Sequence, residues 1–166
     1  MYEKFGQFID GKWNLSEKKE TYEVINPATE EVIGHASKAS PVDVDKALKS
    51  AKKGLEVWKK TPPWQRSYII RRIADKMREK QDVLAKWMTL EVGKPLSEGK
   101  GEVAAAADIF EWNAEETKRI YGQTVESRFE DTRVHIYYQP VGVVAALSPW
   151  NFPLVLSARK ISTALA

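Results

Sequence analysis

Apolar and polar positions alternate with helical periodicity through much of the first 120 residues. Ser40, Pro41 and Asp43 form a capping-box signature with a proline in the first turn, so a helix is predicted to follow Ser40. Its apolar residues recur at steps of three and four: Val44, Ala47, Leu48, Ala51, Leu55 and Trp58. The lysines of this stretch lie largely off that face. We therefore predict an amphipathic helix with one buried face.

More helix is predicted after the break at Thr61-Pro62-Pro63. Apolar residues at helical spacing stand on both sides of the polar Lys80-Gln81-Asp82: Ile69, Ile70, Ile73 and Met77 before it, and Leu84, Trp87 and Met88 after it. This pattern fits two helices or one kinked helix. Gly93-Lys94-Pro95 should end the segment, because glycine accepts a left-handed conformation and proline cannot continue a helix.

A last long helix before the strand-like region is predicted to end at Gly122. Its apolar positions are Val103, Ala106, Ala107, Phe110, Ala114 and Tyr121. Three tryptophans fall on apolar helix faces, namely Trp58, Trp87 and Trp112, and we interpret them as core residues.

Strand patterns occupy the two ends of the chain. Within residues 5–34, Phe8-Ile9 and Tyr22-Glu23-Val24-Ile25 are separated by the turn residues Asp10-Gly11, which predicts a small antiparallel element. Residues 133–139 alternate between apolar and polar side chains, as in a half-buried strand. Residues 141–147 are continuously apolar, as in a strand covered on both faces of a parallel sheet. Together with the helices, these strands predict an α/β fold.

The loop after residues 141–147 carries the strongest candidate for chemistry. Ser148 and Pro149 break the apolar run, and Pro153 suits the first turn of a following helix, which leaves Asn151 in the loop. Parallel sheets bind ligands at the carboxyl ends of their strands. A neutral amide there can donate to an oxyanion, whereas the alternative is a turn-forming asparagine.

Composition and charge argue against nucleic-acid-binding, metal-binding and membrane proteins. The chain has 166 residues, enough for one domain, and its net charge of +3 comes from 26 basic and 23 acidic residues that are mixed along the sequence. Nucleic-acid binding gains little from this charge pattern. With no cysteine and two histidines, no metal site is predicted. Residues 1–5 do not resemble a targeting segment and no stretch reaches the length of a membrane span, so we expect a cytoplasmic protein without membrane partners.

Pro149-Trp150-Asn151-Phe152-Pro153-Leu154 resembles a motif of NAD(P)-dependent aldehyde dehydrogenases. Three other segments resemble the family in the expected order: Ile25-Asn26-Pro27-Ala28-Thr29, Leu90-Glu91-Val92-Gly93-Lys94-Pro95 and Gln139-Pro140-Val141-Gly142-Val143. The resemblance covers nearly the whole chain. It implies the helix-rich N-terminal part of an aldehyde dehydrogenase fold, with the first strand and helix of an incomplete Rossmann-like sheet.

The resemblance also implies roles for single residues. Asn151 would donate to the oxyanion formed at the aldehyde carbon. The segment that passes the nicotinamide side of NAD or NADP would consist of Leu147, Ser148, Pro149 and Trp150. Arg159 matches an arginine with which succinate-semialdehyde dehydrogenases hold the remote carboxylate of the substrate; an exposed helix cation is an equal alternative.

For the intact enzyme, the resemblance implies oxidation of an aldehyde to a carboxylic acid through a cysteine thiohemiacetal, and a homo-oligomer. Residues 1–126 and 141–166 would form an incomplete cofactor-binding domain, and residues 127–140 a strand segment of the oligomerisation region. Because this chain contains no cysteine, we expect no activity from it alone. We also expect weak or no cofactor binding, because a mononucleotide-binding half needs a βαβαβ unit and only one βα step is predicted. The alternative is a non-catalytic interaction module that pairs through its edge strand.

Overall fold

A computed structural model describes residues 6–166, so the prediction about a targeting segment at residues 1–5 lies outside the described part. Four short strands come first, then four helices, two more strands and a last helix. The first four strands are β1 (Gln7–Ile9), β2 (Lys12–Asn14), β3 (Thr21–Ile25) and β4 (Val32–Ser37). They are followed by α1 (Pro41–Trp58), α2 (Pro63–Glu79), α3 (Gln81–Val92), α4 (Leu96–Thr117), β5 (Gln123–Glu126), β6 (Arg133–Ile136) and α5 (Pro153–Leu165).

The capping box predicted at the start of α1 is confirmed. The Asp43 N–H donates to the Ser40 hydroxyl at 3.3 Å, and the Ser40 N–H donates to the Asp43 carboxylate at 2.9 Å. The same carboxylate accepts the Glu17 N–H at 3.2 Å, which ties the segment after β2 to the helix. These bonds, first among them that from the Ser40 backbone, hold the pKa of Asp43 below its ordinary value.

The predicted burial of the apolar face of α1 is wrong for its first half. Val44 and Leu48 are about half exposed, because no described element covers them. Only the end of the helix reaches the core, where the Trp58 indole donates to the Leu165 carbonyl at 2.9 Å.

The second helical segment forms two helices, with Lys80 between α2 and α3. Gly93 caps α3 with φ +77°, as its position before Lys94-Pro95 predicted. The predicted end of α4 at Gly122 is wrong, because the helix stops at Thr117. The N–H groups of Lys118 and Arg119 bond to carbonyls three residues back, so the last turn tightens and the chain leaves towards β5.

Helices α2, α4 and α5 enclose the main core, whose alanines let the helices approach closely. Its buried members are Ile70, Ala74, Ala106, Ala107, Phe110, Ala114 and Ala158. A smaller cluster of Ala85, Met88 and Val103 joins α3 to α4. Trp58 and Trp87 are half-buried. The prediction of a core position for Trp112 is wrong: its side chain is 69% exposed, because it follows Phe110 by two residues and points away from the core.

The six strands form three separate antiparallel hairpins. Phe8 pairs with Trp13, Tyr22 with Ala36, and Thr124 with His135. The antiparallel element predicted near the N-terminus is therefore two hairpins, and the sequence analysis missed β2 and β4. The strand predicted over residues 133–139 ends at Ile136 and is exposed on both faces, not half-buried, since no other described element packs on it.

Residues 141–147 form no strand, which corrects the prediction of the first strand of a parallel sheet. A strand needs a hydrogen-bonded neighbour, and none of the described strands lies beside this segment. Val141 is 94% exposed. The helix-rich α/β architecture is confirmed, but its sheets are the three small hairpins. None of the helices in residues 6–166 has the length and apolarity to cross a membrane.

Candidate active-site loop

The loop predicted to hold Asn151 leads directly into α5, with Pro153 at the first helical position as expected. The first N–H groups of a helix have no acceptor within the helix, so they need acceptors from elsewhere. Phe152, the residue before the helix, has no side-chain acceptor, and Pro153 has no N–H. The first donors to be satisfied are therefore the N–H groups of Leu154 and Val155.

Glu102, on α4, supplies the acceptor for both. Its Oε1 accepts the Leu154 N–H at 2.8 Å and the Val155 N–H at 3.2 Å, so one carboxylate caps a helix 52 residues away in sequence. The Glu102 side chain is 1% exposed. A negative charge at a helix N-terminus is also favoured by the helix dipole.

Lys94 completes this arrangement from the corner between α3 and α4. Its Nζ forms an ion pair with Glu102 Oε2 and donates to the Asn151 carbonyl oxygen at 3.1 Å. The same ammonium lies 4.3 Å from the ring centroid of Phe152. With 8% of its side chain exposed, Lys94 is buried together with its carboxylate. The ion pair therefore holds the backbone on both sides of Phe152.

Asn151 itself is exposed at the end of this anchored backbone. Its carbonyl is bound by Lys94, while its carboxamide makes no hydrogen bond to any other residue of the described part. The amide is thus accessible to a molecule that approaches the N-terminal end of α5.

The residues predicted to meet the cofactor lie just before the loop and are also exposed. Leu147 is 82% and Trp150 79% exposed, and Pro149 is exposed between them. The Ser148 and Ser157 hydroxyls lie 3.2 Å apart, so Ser148 is held against the second turn of α5. The structure therefore gathers Ser148 and Asn151 at one end of this helix.

Arg159, the predicted substrate residue, is exposed on α5. It lies six residues beyond Pro153, about 9 Å along the helix axis. The Cα–Cβ bonds of a helix tilt towards its N-terminus, so this side chain leaves the backbone in the direction of the loop.

A cavity of about 230 Å³ separates α3 from the first turns of α5. Trp87, Met88 and Leu154 give it an apolar lining, and Glu91 lies at its rim. Partial burial raises the pKa of Glu91 above its ordinary value. Asn151 is not among the residues that line this cavity.

Sequence reasoning missed Lys94 and Glu102, although one signal was present. Glu102 stands next to Val103 and four residues before Ala106, within the stripe of α4 that is buried. An acid in an apolar stripe needs a buried partner. Lys94 was interpreted as part of a helix-ending sequence and of a segment that resembles the family, and no contact was predicted for it. Within residues 6–166, no cluster of three or more histidine, cysteine or carboxylate side chains could hold a metal ion.

Comparison with known proteins places this loop in context. The sequence model described as "Aldehyde dehydrogenase family" matches residues 13–166. A glutarate-semialdehyde dehydrogenase of Pseudomonas aeruginosa is 44% identical over 159 residues, which cover 96% of this chain and 33% of that enzyme. The NADP⁺ succinate-semialdehyde dehydrogenase of Escherichia coli is 42% identical over 158 residues, or 95% of this chain and 33% of that enzyme.

Solved structures agree with the sequences. A crystal structure of an E. coli NADP-dependent enzyme superposes with a TM-score of 0.94 at 41% identity, over 98% of this chain and 34% of that one. A betaine aldehyde dehydrogenase of Staphylococcus aureus in complex with NAD⁺ gives a TM-score of 0.92 at 34% identity, over 96% and 32% of the two chains. The chain spans about a third of the length of the curated relatives it matches. By its sequence and its fold, it belongs to the aldehyde dehydrogenase family.

Proposed function

We propose that this chain is the N-terminal part of an enzyme that oxidises an aldehyde to a carboxylic acid with NAD⁺ or NADP⁺. Its own contribution to the chemistry is the Asn151 carboxamide, which donates to the oxyanion at the aldehyde carbon. One observation carries the proposal: the carboxamide is exposed while its backbone is anchored by the buried Lys94–Glu102 pair. A neutral donor on an anchored backbone is suited to stabilise charge that develops during acyl-transfer chemistry.

In the whole enzyme, a cysteine thiolate adds to the aldehyde carbon, and the carbonyl oxygen becomes the oxyanion of a thiohemiacetal. The hydride of that carbon leaves for NAD(P)⁺, the acceptor that the cofactor would supply. Water then hydrolyses the thioester that remains to the carboxylic acid and the free thiol. Leu147 and Trp150 offer the cofactor exposed apolar surface, with Ser148 and Pro149 between them. Since this chain lacks a cysteine, we propose that it has no turnover by itself. We also propose weak or no cofactor binding, because the described strands form only antiparallel hairpins and not the parallel βαβαβ unit on which a dinucleotide binds.

For the substrate, we propose a semialdehyde with a carboxylate at its far end. Arg159 is exposed two turns into α5, and its Cα–Cβ bond tilts towards the helix end that carries Asn151. We propose that its guanidinium binds a carboxylate while the aldehyde carbon lies at the amide. Two relatives carry the names glutarate- and succinate-semialdehyde dehydrogenase, which supports this class of substrate.

A second role concerns assembly. We propose that residues 127–140 belong to an oligomerisation region and that the remainder, residues 1–126 and 141–166, belongs to the cofactor-binding domain. Both faces of β6 are exposed, and its outer edge has no partner among the described strands. Such an edge favours pairing with another chain, either in a homo-oligomer of the whole enzyme or as a non-catalytic module. A sedimentation coefficient that stays at the monomer value over a wide concentration range would remove the second possibility.

The catalytic proposal can be tested in a chimera in which residues 13–166 replace the matching part of the E. coli succinate-semialdehyde dehydrogenase. We expect Asn151→Ala to lower kcat by about 10²–10³-fold, the loss typical of one oxyanion donor. Asn14→Ala, a matched change at an exposed asparagine of β2, should leave kcat unchanged. A chimera that oxidises succinate semialdehyde equally well with Asn151→Ala would contradict the proposal.

The substrate proposal has a separate readout in the same chimera. Arg159→Leu should raise KM for succinate semialdehyde and leave KM for propanal, which has no carboxylate, nearly unchanged. An equal change for both aldehydes would show that Arg159 is a surface cation without a role in substrate choice.

A further inference from the structure

The Lys94–Glu102 pair is unusual in this molecule because it is charged and buried. Lys94 is the one buried basic side chain in residues 6–166. Removing two charges from water is costly, and a hydrophobic pair of similar volume is often at least as stable. Stability alone is therefore a weak reason for charges at this position, and the contacts of the pair suggest another.

Within residues 6–166, the side-chain hydrogen bonds and the ring contact that the pair makes outside itself lead to the loop of Asn151 and the start of α5. Lys94 binds the carbonyl oxygen of Asn151 and lies over the ring of Phe152. Glu102 binds the N–H groups of Leu154 and Val155. The peptide that follows the Asn151 side chain and the first turn of the helix are therefore fixed to the same two charged groups.

We propose that Lys94 and Glu102 are positioning residues that set the direction of the Asn151 carboxamide; this inference rests on the proposed function of Asn151. The bond from Lys94 to the Asn151 carbonyl restrains the peptide that follows this residue, and with it the backbone from which the carboxamide projects. A donor to an oxyanion must be held within about 0.5 Å of its productive place. The pair provides this restraint without touching the substrate.

Lys94 and Glu102 bind different backbone groups of the loop and helix start, so their effects on activity can be measured separately. Lys94→Met keeps an unbranched apolar side chain but loses the donor to the Asn151 carbonyl. Glu102→Gln keeps an oxygen that can accept the Leu154 and Val155 N–H groups, whereas Glu102→Leu removes it. Glu102→Gln should therefore retain more activity than Glu102→Leu, which is a rescue by the conservative variant.

The test is a double-mutant cycle in the chimera described above. We expect Lys94→Met to lower kcat up to about a hundredfold, as a small misplacement of a catalytic group does, with a much smaller change in KM. In the Asn151→Ala background the same substitution should have little further effect on kcat, because the group that it positions is already gone. Lys100→Met is the matched control on α4, since Lys100 forms an ion pair with Asp82 at 2.7 Å and does not contact the loop.

The outcomes separate this inference from the proposed function. If Asn151→Ala leaves kcat unchanged, the proposed function fails. If Asn151→Ala lowers kcat but Lys94→Met lowers it by the same factor in both backgrounds, the pair has a general structural role and this inference alone is overturned. An unchanged kcat for Lys94→Met overturns it as well.

A second measurement on the 166-residue chain does not need an active chimera. In hydrogen exchange, Glu102→Leu should reduce the protection of the Leu154 and Val155 amides by roughly tenfold or more, while Glu102→Gln retains most of it. The amides of α2 serve as an internal control. Unchanged protection at Leu154 and Val155 in Glu102→Leu would overturn the proposed restraint.

Discussion

The body formed by α2, α3, α4 and α5 differs sharply from residues 123–150, although both are rich in apolar side chains. Phe110 on α4 is 3% exposed, whereas Val141 is 94% exposed. The difference is one of partners: the helices pack face to face, while the β5–β6 hairpin pairs only within itself and residues 142–146 border an open groove beside α1 and α5. An apolar pattern thus indicates which side of a segment is suited to burial, but burial follows only where a matching surface is present.

The largest expected effect on stability follows from the removal of a core side chain. Phe110→Ala should lower the free energy of unfolding of the 166-residue chain by about 4 kcal/mol, because it leaves a cavity between α2 and α4. Trp112→Ala on the same helix and Val141→Ala in the open segment should each change it by less than about 0.5 kcal/mol. Urea unfolding followed by circular dichroism measures all three. A similar loss for Phe110→Ala and Val141→Ala would remove the distinction between the two regions.

The next effect concerns the Lys94–Glu102 pair, which binds the loop of Asn151 to the helices. Lys94→Met should lower the free energy of unfolding by about 3 kcal/mol, because Glu102 is then buried without its counter-charge. The double variant Lys94→Met/Glu102→Leu should recover much of that loss in the same urea experiment, since no unpaired charge remains. A double variant less stable than Lys94→Met would show that the bonds from the Leu154 and Val155 N–H groups to Glu102 outweigh the cost of its unpaired charge.

A smaller effect is expected where α1 begins. Ser40→Ala removes the side-chain acceptor for the Asp43 N–H and should lower the free energy of unfolding by about 1 kcal/mol. Ser97→Ala, at an exposed position in the first turn of α4, is the control and should change little. Equal losses for the two serines would mean that the cap does not contribute to stability.

The smallest effect is confined to acidic solution. Bonds from Ser40 and Glu17 lower the pKa of Asp43 in the folded chain, so the ionised carboxylate stabilises the fold above the unfolded pKa of about 3.9. As the pH falls through the lower folded pKa, that stabilisation is lost. The stability difference between the wild type and Asp43→Asn should therefore be constant near neutral pH and shrink below about pH 4. A difference that does not change down to the folded pKa would contradict the role of this carboxylate.

The sequence predicted those features that depend on neighbouring residues. The Ser40 cap, the end of α3 at Gly93 and the start of α5 at Pro153 follow from the local preferences of serine, glycine and proline. The loop position of Asn151 follows from them too. Whether Asn151 acts as an oxyanion donor is still a prediction.

The features that sequence reasoning missed or mistook depend on distant residues. The burial of Lys94 and Glu102 appears only when α3, α4 and α5 meet, and the strand predicted over residues 141–147 required a neighbour that the described residues do not provide. Asn113 illustrates the same point, because its amide donates to the Ser162 hydroxyl at 3.0 Å and joins α4 to α5. No spacing in the sequence indicates that contact.

The proposed role of Asn151 requires that this residue lie at the border between the packed helices α2–α5 and the largely exposed residues 141–147. Residue-resolved hydrogen exchange of the 166-residue chain tests this directly. We predict slow exchange in α2 and α4 and at the Leu154 and Val155 amides, and fast exchange over residues 143–148. Exchange at Leu154 as fast as in residues 143–148, or protection of residues 143–147 equal to that of α4, would contradict the account.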